Sequence, residues 1–153
     1  MRYVPIASHC WHFRELRLDD PRELALNLID SREPGSFLIL TSLHAATPRN
    51  LPHYSTSKAA LSILAKELAK SFGQFGIRVN ALVPGAIAAG GFVADEALTR
   101  HIPLKRLGEA NDLAPMALAI LSSRISPYAT GSAFVVDGGL SLTNWFEPPA
   151  LDF

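Results

Sequence analysis

The chain has 153 residues, 48% of them hydrophobic and 18% charged, which is enough apolar surface for one packed core and too much for a disordered segment. Fourteen basic residues balance fourteen acidic ones, so no net field draws the protein to nucleic acid or to an anionic membrane. No stretch is long and apolar enough to span a bilayer, the start at Met1 to Pro5 lacks the apolar block of a secretory signal, and the single cysteine, Cys10, excludes an internal disulfide and suits a reducing, cytoplasmic setting.

Residues 1 to 18 show neither helical nor strand periodicity and are assigned no fold. At Asp20-Pro21-Arg22-Glu23 an Asx cap, a proline at the first helical position and a glutamate three residues after the cap predict a helix start, with Leu24, Leu28 and Ile29 on the buried side. Glu33-Pro34-Gly35 turns the chain into Ser36 to Thr41, an apolar run suited to a strand covered on both faces. A polar loop with Pro48 and Pro52 leads to Tyr54, from which Leu61, Leu64, Ala65, Leu68 and Phe72 recur at helical spacing to about Phe75. After Gly76, Ile77 to Val83 reads as a second strand, stopped by Pro84-Gly85. Residues 86 to 108 read as a long irregular excursion of lid type with a short helix near Asp95 to Arg100. A last helix opens at Asn111 with Leu113, Met116, Ala117, Ile120 and Leu121 inward, and Ser132 to Val136 is a third strand. Strands alternating with helices imply an α/β fold with a parallel sheet.

Tyr54 and Lys58 stand four apart at the start of the longest helix, so both project from one face, about a turn apart. A phenol has a pKa of ~10, and an ammonium within reach favours its ionised form, which is how a tyrosine becomes an acid/base near neutrality. Ser42, at the end of the preceding strand, is placed to hold a carbonyl or alcohol oxygen beside the tyrosine, and strand ends are where open parallel sheets bind ligands. Taken singly these are weak signals: a tyrosine packed over a lysine stem is common on helices, and a serine after a strand usually satisfies a loop.

Four blocks together are far more specific: Thr41-Ser42, then Tyr54-Ser55-Thr56-Ser57-Lys58-Ala59-Ala60, then Arg78-Val79-Asn80-Ala81-Leu82-Val83-Pro84-Gly85, then Val136-Asp137-Gly138-Gly139. In order and spacing they resemble the classical short-chain dehydrogenase/reductase family over residues 34 to 142. The resemblance implies a partial Rossmann fold of three parallel strands in a catalytic domain over residues 19 to 142, with 143 to 153 as a tail. It implies NAD(P)-dependent hydride transfer between a nicotinamide cofactor, NAD or NADP, and a small carbonyl or alcohol substrate. Tyr54 is then the acid/base and Ser42 the orienter of the substrate oxygen. Lys58 both lowers the tyrosine pKa and holds the nicotinamide ribose hydroxyls. Pro84 and Gly85 lie under the nicotinamide, although an ordinary strand-ending turn explains them equally, and Ile87 offers its backbone to the carboxamide. Asp137-Gly138-Gly139 closes the last strand.

The departures bear on function. The family opens with a strand, a glycine-rich turn and a helix N-terminus that let the backbone approach a pyrophosphate, and this sequence contains no such cluster. The chain is therefore expected to be truncated and to bind dinucleotide weakly or not at all by itself, with a separately encoded N-terminal half as one way for it to work. The alternative is a non-catalytic fragment or dimerisation module, and the exposed apolar edge that truncation creates predicts a homo-oligomer. Ser42 precedes Tyr54 by twelve residues, one fewer than is common in the family, so that either the loop is shorter or Thr41 shares the serine's role. Asn27 is no convincing counterpart of the family's relay asparagine, and Ala89 stands where many members have threonine. His9, Cys10 and His12 do not complete a metal site, so no metal is expected. His44 and His53 bracket the loop before Tyr54 and read as solvated, with substrate contact as the other possibility; Trp145 and Phe146 read as packing or subunit-contact residues.

Overall fold

The computed structural model describes residues 21–47, 49–89 and 96–142. The segments 1 to 18 and 143 to 153, with Asp20, the three candidate ligands near the N-terminus and the two tail aromatics, lie outside these. Helix α1 (Pro21–Ser31) starts at the proline whose fixed φ suits a first helical turn. It feeds strand β1 (Gly35–Leu40), helix α2 (Pro52–Phe72), strand β2 (Ile77–Pro84), the short helix α3 (Glu96–His101), helix α4 (Ala110–Leu121) and strand β3 (Ala133–Val136). The three strands form one sheet in the order β1-β2-β3, and both pairings are parallel. The expected α/β fold with three parallel strands is what is found.

Alternate strand residues face opposite sides, and here the two sides are covered by different helices. Val79 and Ala81 of β2, with Ile77 before them, meet Ala25 of α1 and Ala65 and Ala69 of α2 in the main core, and Phe37 and Ile39 of β1 pack against it. The small α2 residues let that helix lie close to the sheet. On the opposite side Arg78 caps α4: its guanidinium donates to the carbonyls of Ile120 at 2.9 Å and Leu121 at 3.1 Å, groups that a helix C-terminus leaves unpaired. Asn80, fully buried, donates to the Ala129 carbonyl at 2.8 Å and accepts from the Ser132 N–H at 3.1 Å, fixing the entry to β3. A second cluster, Leu43, Val83, Ile102 and Leu140, sits at the carboxyl end of the strands and holds α3 against them.

Several expectations need correction. Leu24 is 41% exposed and Ala25 is the buried residue, so the inner face of α1 is turned one residue from the expected one, while Leu28 and Ile29 pack as expected. Met116 and Leu121 are exposed on α4, where Ile120 takes the buried position. Helix α2 begins at Pro52, two residues before Tyr54, and ends at Phe72; Gly73–Phe75 tightens into a 3-10 turn that Gly76 terminates in the left-handed conformation, φ 75°. Strand β1 is not covered on both faces: every residue is at least partly exposed and Leu40 is 53% exposed, because among the described residues β1 has a strand partner on only one side.

Candidate active site

Strand β1 ends at Leu40, and the next two residues diverge in fate. Thr41 is buried and doubly tied to β2, its N–H and its hydroxyl both donating to the Leu82 carbonyl, at 2.9 and 3.2 Å. That hydroxyl is engaged in holding strand to strand, so the geometry favours the shorter loop over sharing between Thr41 and Ser42. Ser42, 8% exposed, takes an extended backbone and caps the 3-10 turn Leu43–Ala45. Its Oγ accepts from the His44 N–H at 3.3 Å, which leaves the hydroxyl proton for another acceptor.

Tyr54 lies in the first turn of α2 and Lys58 one turn on. The Lys58 ammonium lies 5.5 Å from the Tyr54 ring centroid, within cation–π range, and donates a long 3.5 Å bond to the Leu40 carbonyl at the end of β1. Strand end and helix start thus place Lys58 beside the end of β1, two residues before Ser42, with the Tyr54 ring next to its ammonium. Tyr54 is 38% exposed, so a ligand has access to it. The hydroxyls of Thr56, Ser57 and Ser62 are engaged by carbonyls of their own helix.

His44 belongs to this corner as well. Its ring stands edge-on to Tyr54, centroids 5.0 Å apart at 85°, and its Nδ1 is 3.4 Å from the Ser55 hydroxyl. Burial, with the positive charge of Arg49 adding to it, holds its pKa below that of an ordinary histidine, so the imidazole is neutral at pH 7. His53, by contrast, is exposed. The signal that separates them is position: two residues after Ser42, the chain is still inside the turn that packs on α2.

Pro84, Gly85 and Ile87 gather at the same carboxyl edge of the sheet, beyond β2. Gly85 donates to the Val136 carbonyl at 3.0 Å, and a Cβ there would come within 2.7 Å of Asp137 Cα. The contact with Asp137 alone therefore requires glycine. Ile87 is bridged to Gly108 through its neighbours: Gly108 donates to the Ala86 carbonyl and Ala88 donates to the Gly108 carbonyl. In a parallel bridge of that form the Ile87 N–H points away from Gly108, as an offer to a ligand requires. Asp137 accepts from Gly139 and Ser141 N–H groups at 2.8 and 2.7 Å and so closes β3, in line with its expected structural role. Among the described residues there is no cluster of potential metal ligands, and no helix is long and apolar enough to cross a membrane. Asn27 is exposed on α1.

A nicotinamide cofactor can be tested against these groups. Lys58, with ammonium protons beyond its one long bond, and the outward Ile87 N–H suit the ribose hydroxyls and carboxamide of its nicotinamide half. Nothing in the sequence supplies the glycine-rich turn for its pyrophosphate.

A family model described as enoyl-(acyl carrier protein) reductase matches residues 23–141. The chain is 36% identical to glucose 1-dehydrogenase of Gluconobacter oxydans over 82% of its own length and 50% of that protein's. Its fold matches acetoin dehydrogenase from Enterobacter cloacae with a TM-score of 0.73 at 34% identity, covering 83% of this chain and 52% of that one. It also matches a 4-hydroxyisoleucine dehydrogenase complexed with NADH, with a TM-score of 0.75 at 27% identity, covering 80% and 54%. The chain belongs to the short-chain dehydrogenase/reductase family. It spans about half the length of the relatives it matches.

Proposed function

We propose that the chain supplies the acid/base and substrate-binding half of an NAD(P)-dependent oxidoreductase that interconverts a small carbonyl compound and its alcohol. The observation that carries this reading is the Lys58 ammonium between the Tyr54 ring and the Leu40 carbonyl, two residues before Ser42 at the end of β1. A bound nicotinamide supplies or accepts the hydride. In the reducing direction the Tyr54 phenol gives its proton to the carbonyl oxygen, and the Ser42 hydroxyl donates a hydrogen bond to the same oxygen, where negative charge builds up. Lys58 favours the tyrosinate left behind and would hold the ribose hydroxyls of a nicotinamide cofactor; the Ile87 N–H would take its carboxamide, and Pro84 and Gly85 would contact its nicotinamide. The reaction is reversible with the same groups.

The adenosine half of NAD or NADP needs a glycine-rich βαβ unit from a separate N-terminal half or from chain beyond this one. The isolated chain therefore binds NADH weakly; low-micromolar affinity by titration calorimetry, about −8 kcal/mol, contradicts that. Fusing the first half of a relative to the chain, or adding it in trans, is expected to give reductase activity that Tyr54→Phe lowers by about 100-fold or more. Near-normal activity of that variant overturns the assigned role. The exposed side of β1 supports a second reading, in which the chain is a dimerising module without activity. No activity in any such fusion, together with stable self-association, favours it. The single cysteine suits a cytoplasmic protein.

A further inference from the structure

An open groove of about 550 Å³ runs between the loop after Ser42 and the first turns of α2. Its size is that of a small-molecule site. The polar side chains along it are those of His44, Thr47, Arg49, Asn50, Ser55 and Thr56, and among the described residues no carboxylate lines it. Arg49 is half-buried, and its Nε–H is shielded from solvent without a hydrogen-bond partner. Buried donors are almost always paired, so an unpartnered Nε–H on a side chain that lines the groove marks a missing acceptor, which reaches it once the guanidinium turns towards the groove. Arg49 is not in the one ion pair seen among the described residues, Arg106–Asp112.

We propose that this groove binds the anionic end of the substrate, a carboxylate or a phosphate, with Arg49 as its cation. The proposal rests on the oxidoreductase reading for the identity of the ligand as substrate, though not for the binding of the anion. A guanidinium presents a planar fork that matches both oxyanions, and the Nε–H is one prong of it. The hydroxyl of Ser55 and the amide of Asn50 are further hydrogen-bonding groups on the wall. The N-terminal end of α2 adds partial positive charge on the same side. His44 connects the groove to the chemistry, since one ring lines the groove and stands against Tyr54. Because that imidazole is neutral at pH 7, Arg49 is the full charge that selects the ligand. A substrate spanning the two places has its carbonyl at Tyr54 and its acidic group beyond His44, which favours oxo and hydroxy acids or sugar phosphates over neutral sugars and alcohols.

The test uses the 153-residue chain and NMR. Succinate, inorganic phosphate and dimethyl succinate are titrated while the Arg49 Nε–H signal and the amides of residues 44 to 56 are followed. The expected result is saturable, millimolar binding of succinate or phosphate that moves the Nε–H signal downfield, with dimethyl succinate without effect. Tighter binding of succinate identifies a carboxylate site and tighter binding of phosphate a phosphoryl site. Arg49→Gln is expected to weaken binding by about tenfold or more, and Arg49→Lys to retain part of it. Shifts that are absent, that the diester reproduces, or that survive Arg49→Gln overturn the proposal. Those failures leave the oxidoreductase reading standing, because that reading is decided by activity of the complemented chain.

Discussion

Strands β1 and β2 lie side by side, both are apolar, and they experience different surroundings. Seven of the eight residues of β2 are buried, and its polar side chains, Arg78 and Asn80, are engaged by carbonyls of α4 and of the loop before β3. No residue of β1 is buried, and the candidate chemistry stands at its end. The difference teaches that the molecule separates its anchor from its working edge. Changes to β2 should cost stability, and changes around the end of β1 should cost function or alter association.

The sharpest contrast sets Asn80→Ala against Tyr54→Phe. Truncating the fully buried Asn80 leaves the part-buried Ser132 N–H without its acceptor, removes a donor from the Ala129 carbonyl and opens a void in the interior. The expected loss is about 2–4 kcal/mol, read as a lower urea midpoint with little change in slope. Tyr54→Phe is expected to stay within about 0.5 kcal/mol, since the ring is retained and partly exposed. Comparable losses in both variants break the separation of anchor from working edge.

A smaller effect is expected at the junction of the two regions. In Gly85→Ala the new methyl meets Asp137 Cα and Cβ, both at 2.7 Å, and one of those contacts is main chain, which cannot swing aside. Destabilisation of about 1–3 kcal/mol is expected by denaturant unfolding. A neutral result means that the β2 and β3 ends shift freely, and the packing reason for glycine fails.

The same division explains what was legible beforehand. The parallel sheet and its helices follow from periodicity, and the Tyr54–Lys58 pair from helical spacing, because these are local facts; that Ser42 belongs with that pair is what the four-block resemblance implies. The inner face of α1 was not legible: Leu24 and Ala25 are both apolar, and only packing of α1 on β1 and α2 selects the smaller one. Partial exposure of β1 depends on what lies beside it, which composition does not record. Arg49 gives no signal in a string of loop residues; its meaning comes from the groove and from an Nε–H shielded there without a partner.

The open side of β1 predicts association rather than unfolding. Phe37 to Leu40 carries no charge or proline, and an unpaired edge of that kind recruits another chain. Light scattering coupled to size exclusion is expected to show a dimer or larger species at micromolar concentration, and Leu40→Lys to shift it towards monomer with little change in stability. A monodisperse wild-type monomer would mean that residues outside the described ones cover this edge.

The smallest effect expected is a pH dependence on the anchor side. Burial works against the Asp137 carboxylate, but the hydrogen bonds it accepts from Ser141 and Gly139 outweigh it, so its pKa falls below the ordinary aspartate range. A carboxylate whose pKa is depressed on folding adds stability above its unfolded pKa of ~3.9 and loses it as the pH drops through the lower folded value. The sign is therefore fixed: the contribution is full at pH 7 and pH 5 and shrinks on acidification below about pH 4. Asp137→Asn keeps the shape but has one acceptor oxygen in place of two, so either Gly139 or Ser141 N–H loses its partner. The variant is expected to be less stable than wild type at pH 5 to 7, with the gap narrowing in urea melts taken towards pH 2.5 as the wild-type carboxylate protonates. A gap that stays constant to the lowest pH assigns the effect to packing of the turn after β3. One that widens on acidification contradicts the depressed pKa itself.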